Sequence, residues 1–163
     1  FETAFLTGDE WSASWIGPTD DETDDGGPPP YLRTRFTTNG AVARARLYVA
    51  ARGLMELSLN GSLVGDDVLV PGWTDYNKRC QYLTYDVTGL VTSGENVLGA
   101  VLGDGWYSGR IARIHDGERL FGSRPQLLCE LHITAHDGTI QVASRSGGGA
   151  SMVVRLPRAG DTD

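Results

Sequence analysis

Apolar and polar residues alternate with a period of two through most of the chain between Tyr31 and Val142. Residues 32–37, 43–49 and 55–59 follow that alternation and predict half-buried strands. The third of these runs into Asn60-Gly61, a pair that tolerates positive φ at both positions and predicts a tight hairpin. Residues 96–102 are apolar almost throughout, which suits a central strand. Along 127–134, Cys129, Leu131 and Ile133 fall on one face and Glu130, His132 and Thr134 on the other. His136-Asp137-Gly138-Thr139 then turns the chain into a last short strand over 140–142. No window of 11 or more residues keeps a helical period. The pattern predicts an all-β, antiparallel sandwich or barrel.

Two ends depart from this body. Residues 11–16, Trp-Ser-Ala-Ser-Trp-Ile, form a short alternating segment able to dock on a sheet edge. Residues 17–30 follow, with five acids among Gly and Pro and no large apolar side chain, and are expected to be a solvated loop. These acids lack the alternating ligand spacing and central Gly of a calcium loop. After Val142 the run Ser144-Arg145-Ser146-Gly147-Gly148-Gly149 is small and polar, with one apolar stretch over 152–157. The expected organisation is an N-terminal extension and acidic loop over 1–30, one sandwich domain over 31–142, and a mobile or non-native tail over 143–163.

Composition narrows the partners. The chain has 163 residues, is 40% hydrophobic and carries a net charge of −7. That length and apolar content suffice for one domain with a real core. The acidic balance argues against non-specific attraction to nucleic acid or to an anionic membrane. No apolar run approaches the roughly 20 residues that cross a bilayer, and no basic region followed by an apolar one opens the chain as a signal peptide would. The chain starts at Phe1 without an initiator Met, as though cut from something longer, and its localisation stays open. The two cysteines, Cys80 and Cys129, are expected to be buried free thiols.

Candidate chemistry concentrates in two stretches, 71–79 and 102–109, where aromatics, amides and carboxylates alternate with glycines. Flat rings that stack on sugar C–H faces and fixed polar groups that bind hydroxyls need that mixture. Trp106 and Tyr107 are read either as a stacking platform, worth about 1 kcal/mol per ring, or as rings that plug the sandwich mouth or contact a neighbouring domain. Trp73 is expected to cap the core. Asp75, Tyr76 and Asn77 form the polar cluster. Asp75, Asn77 and Asp104 are candidate calcium ligands, because that ion takes several oxygens on a stiff loop. The rival reading has Asp75 satisfying its own turn, and Lys78 beside it is a poor neighbour for a metal. Asp86 in Tyr85-Asp86-Val87-Thr88 is expected to be structural, accepting backbone N–H bonds. His115, Asp116 and Glu118 fall on an expected surface loop, and the three histidines have no zinc spacing. There is no Ser–His–Asp signature, Gly-x-Ser-x-Gly elbow, phosphate loop or dinucleotide fingerprint.

Several of these pieces, taken in order, resemble the amino-terminal β-sandwich of bacterial α-L-rhamnosidases. They are Trp15-Ile16-Gly17, Ala45-Arg46-Leu47-Tyr48, Glu56-Leu57-Ser58-Leu59-Asn60-Gly61 and Val64-Gly65. Pro71-Gly72-Trp73-Thr74-Asp75-Tyr76, residues 82–88, Gly94-Glu95-Asn96 and residues 103–109 complete the set, which spans about residues 11–142. The resemblance implies a jelly-roll sandwich, similar to galactose-binding domains, that precedes a separate α/α-barrel with the catalytic carboxylates. In some members this module binds L-rhamnose through calcium. On that basis the chain is expected to act as a non-catalytic carbohydrate-binding module for L-rhamnose-containing glycans, with Trp106, Tyr107, Asp75, Tyr76 and Asn77 at the sugar. The alternative is a structural module that packs on the catalytic α/α-barrel without binding sugar, with Trp106, Tyr107 and Arg110 as an apolar patch rimmed by charge. No barrel follows Val142, so catalysis by the isolated chain is not expected; localisation is cytoplasmic or secreted.

Overall fold

A computed structural model describes residues 11–18, 28–110 and 119–136, and the backbone of 153–155. The strands in chain order are β1 (Tyr31–Thr38), β2 (Val42–Arg52), β3 (Leu54–Leu59), β4 (Ser62–Leu63), β5 (Tyr82–Asp86), β6 (Gly94–Gly103), β7 (Gln126–Ala135) and β8 (Val153–Arg155). They form two four-stranded sheets, ordered β1-β6-β3-β4 and β5-β2-β7-β8. Every pairing is antiparallel except β7 with β8. The helical content among the described residues is a one-turn helix α1 (Gly105–Ser108) and a 3-10 turn over Thr88–Leu90. The architecture is an all-β sandwich, as the period-two pattern predicts.

Alternation decides which side chains fill it. Ala45, Leu47, Val49 and Ala51 of β2 face Leu98, Ala100 and Leu102 of β6 across one core. Met55, Leu57 and Leu59 of β3 and Leu127, Cys129, Leu131 and Ile133 of β7 complete that core. The apolar run over 96–102 is indeed central, paired on both sides by β1 and β3. Asn60 and Gly61 join β3 to β4 with φ of 53° and 84°, the two positive values that the hairpin requires. Cys80 and Cys129 are both free thiols. Burial pushes them up to about 11 and about 12 respectively, so neither is a ready nucleophile.

One end of the sandwich is pinned by amides. Asn96 is fully buried; its Oδ1 accepts from the Thr92 N–H and the Asn60 Nδ2, both at 2.8 Å, and its Nδ2 donates to the carbonyls of Thr92 and Gly94. Asn60 Oδ1 in turn accepts from the Val97 N–H at 2.8 Å. Two residues of the Leu-Asn-Gly and Gly-Glu-Asn pieces thus satisfy each other and the adjoining turns, which a buried amide must do. Asp86 is structural as expected, accepting from the Thr88 N–H at 3.0 Å and hydroxyl at 2.6 Å.

The two chain ends both reach β7. Ile16 exchanges backbone hydrogen bonds with Leu127 at 2.8 and 2.7 Å, so the 11–16 segment docks on a strand as its pattern suggests. Within the tail expected to lie outside the fold, β8 pairs in parallel with Glu130–His132. The short strand expected at 140–142 lies outside the described residues.

Candidate functional site

The rings and polar groups read from the sequence gather around the 71–79 loop and α1, and most of them turn inward. Tyr76 meets Tyr107 edge-to-face with centroids 5.2 Å apart, and meets Phe121 at 5.3 Å. Its hydroxyl donates to the Gly72 carbonyl at 3.1 Å. Tyr107 is buried, and Gly122 lies so close that a Cβ there would collide with its ring. The Arg52 guanidinium sits 4.4 Å from the Trp15 ring centroid and 5.9 Å from that of Tyr107, while its Nη1 donates to Gln126 Oε1 at 2.8 Å. A cation between two ring faces, with aromatic edges packed behind, makes a stacked plug in which each contact adds to the next.

The outward rings are different ones. Trp73 is 60% exposed, so the expectation that it caps the core is corrected: the preceding Gly72, at φ 95°, turns the chain there and the core closes without it. Trp106 is half-buried and Arg110 exposed, whereas Tyr107 is buried. The apolar patch expected from Trp106, Tyr107 and Arg110 therefore lacks its middle member.

The acids are engaged locally. Asp75 is exposed; one carboxylate oxygen accepts the Asn77 N–H at 3.2 Å and the other pairs with the Lys78 ammonium at 3.1 Å. That Lys78 contact, with the Asn77 bond, holds its carboxyl below the usual aspartate range. The Asp75 carbonyl also accepts the Lys78 and Arg79 N–H groups at 2.9 and 3.0 Å, which closes the turn. Asp104 accepts the Ser108 hydroxyl at 2.9 Å across α1. Both Asp75 carboxylate oxygens and Asp104 Oδ1 thus already have donors, one of them an ammonium. Among the described residues no three His, Cys, Asp or Glu side chains gather as a metal site. His115, Asp116 and Glu118 lie outside the described residues.

Glu130 is the residue that the alternation misplaces. It belongs to the face of β7 opposite the core, yet it is fully buried. The 11–16 segment covers it: its Oε1 accepts the Ser12 N–H, the Ser12 hydroxyl at 2.8 Å and the Ala13 N–H at 2.6 Å. Its Oε2 is 3.0 Å from His132 Nε2, and the His132 ring packs edge-on to Tyr48 at 4.9 Å. Burial alone would raise this carboxyl, but His132 and the three donors of the segment hold it at about 2. Trp11, edge-to-face with Tyr82 at 5.6 Å, extends the same cover over β5. The local signal was two tryptophans and two serines before the acidic loop; nothing in β7 itself revealed the pairing.

A β-sandwich module, closed at one end by a ring plug and along one face by its own N-terminal segment, is the class these features define. Residues 40–147 match the family model described as the alpha-L-rhamnosidase N-terminal domain. An alpha-L-rhamnosidase of Alteromonas sp. (strain LOR) is 42% identical over 150 residues, covering 88% of this chain and 16% of that protein. The crystal structure of native α-L-rhamnosidase from Aspergillus terreus superposes with a TM-score of 0.74 at 41% identity, over 82% of this chain and 16% of that one. The Streptomyces avermitilis α-L-rhamnosidase, solved in complex with L-rhamnose, gives 0.64 at 49% identity, over 67% and 10%. The chain belongs to the α-L-rhamnosidase N-terminal domain family. It spans about 16% of the length of the curated Alteromonas relative.

Proposed function

We propose that this chain is a non-catalytic accessory domain of an α-L-rhamnosidase-type glycoside hydrolase, which packs on the catalytic domain and braces it without binding sugar. The observation that carries this reading is the engagement of the polar groups a sugar site would need. Both oxygens of Asp75 have donors, the Tyr76 hydroxyl donates to Gly72, and Tyr107 is buried against Tyr76. A ligand would have to break these contacts before making its own. Glycoside hydrolysis also needs two carboxylates about 5–9.5 Å apart, one with a raised pKa. Among the described residues, the carboxyls that their hydrogen bonds and charged neighbours displace, Asp75, Asp86 and Glu130, are all held below their ordinary range.

One observation favours the second reading, a carbohydrate-binding module for L-rhamnose-containing glycans. Trp73 and Trp106 keep ring area in solvent beside this cluster, where stacking on a sugar needs it. Calorimetric titration of L-rhamnose into the chain, with calcium and then with a chelator, separates the two. The bracing role predicts no heat up to millimolar sugar. Calcium-dependent heat lost in Trp106→Ala would establish the binding module instead.

A further inference from the structure

Away from the ring plug, the loop between β4 and β5 closes over a groove of about 140 Å³ floored by Met55, Leu57, Val64 and Val70. Its lining is open on the aliphatic side, where Leu63 is 63% and Val68 84% exposed, and the next residue, Leu69, is 64% exposed. Three large aliphatics in solvent within seven residues form a patch of the kind that marks an interaction site. The loop is held for this display. Met55 N–H donates to the Val70 carbonyl at 3.0 Å, and Leu69 adopts φ 57°, a left-handed conformation that a bulky residue rarely takes.

Charge specifies the partner. Glu56, Asp66 and Asp67 line the same groove, and among the described residues no Lys or Arg pairs with them. The Tyr85 hydroxyl donates to Asp67 Oδ2 at 3.0 Å and so fixes one carboxylate at the rim. Aliphatic lining offers no stacking platform to a sugar ring, because the single ring in the groove, Tyr85, is packed against Gly65. Carboxylates beside exposed aliphatics instead complement an apolar protein surface that carries a guanidinium or ammonium group.

We propose that this groove is the face by which the domain docks on the catalytic domain of the parent enzyme, which meets it with an apolar segment bearing an arginine or lysine. The proposal rests on the bracing reading and names its surface. The probe is the Alteromonas sp. (strain LOR) α-L-rhamnosidase with its matching N-terminal region deleted and its fold checked by circular dichroism. It is titrated into the ¹⁵N-labelled 163-residue chain.

The expected result is broadening of the Leu63, Val68 and Leu69 amide signals. Affinity should fall at least tenfold in Val68→Asp and severalfold in Asp66→Lys, and should weaken as salt is raised. Both variants alter exposed side chains, and their folding is verified from the same spectra. Binding that maps elsewhere and survives Val68→Asp would overturn the docking face and leave the bracing reading standing. No binding to a folded probe would overturn both. Self-association of the chain through this groove in sedimentation would assign it to a second copy and overturn the proposal.

Discussion

Glu130 under the N-terminal segment and Asp75 in the 71–79 loop are both carboxylates that accept backbone N–H groups and face a cationic or potentially cationic partner. Glu130 is closed from water on every side, with three donors from Ser12 and Ala13 and with His132 at its other oxygen. Asp75 stands in solvent and does the same chemistry with Asn77 and Lys78 only. Removing one partner from a buried charged network leaves the rest unsatisfied in low dielectric, whereas water replaces a partner lost at the surface. The residue that matters more for the fold is therefore the one that no motif singles out.

The largest test of that contrast is Glu130→Ala. It strands two backbone amides and the Ser12 hydroxyl beneath the segment, and should cost about 3 kcal/mol or more in urea unfolding. Amide exchange over residues 11–16 should accelerate in the same variant. Asp75→Ala should leave the unfolding midpoint unchanged within error.

Acid sharpens the comparison next. Glu130 sits at about 2 in the fold against an ordinary 4.5. Its stabilisation is full above pH 4.5 and is lost as pH falls from 4.5 toward 2, a shift equivalent to about 3 kcal/mol. Stability measured from pH 6 to 2.5 should fall in wild type and flatten in Glu130→Gln.

Smaller still is the coupling inside the ring plug. A double-mutant cycle of Tyr76→Ala and Tyr107→Ala should return about 1 kcal/mol of edge-to-face interaction. Thiol labelling gives the least effect: Cys129, fully enclosed, should react only on unfolding, and Cys80, half-buried and pushed up to about 11, slowly before it.

How far the sequence speaks follows the same division. β1, β2, β3, β6 and β7 were legible because every second residue along each strand enters the shared core, and the Asn60-Gly61 turn because few pairs accept its backbone. Asp86 was legible as a local acid for the same reason, its partner Thr88 being two residues away. Glu130 was not, since its partners lie 117 and 118 residues away and strand alternation sends it to solvent. Nor was the depth of Tyr107 or the exposure of Trp73 legible, because the first depends on the close approach of Gly122, 15 residues on, and the second on the turn at Gly72. The Leu63–Leu69 patch was missed because irregular loops carry no period, and only exposure exposes the anomaly.

The most direct test of the central claim follows the four tryptophan indole N–H signals and the Tyr76 amide by NMR while L-rhamnose is added in the presence of calcium. A domain whose polar groups are already engaged in its own loop and ring plug predicts that none of these signals moves at millimolar sugar. Saturable movement of Trp73 or Trp106 together with Tyr76, abolished by a chelator, would contradict it.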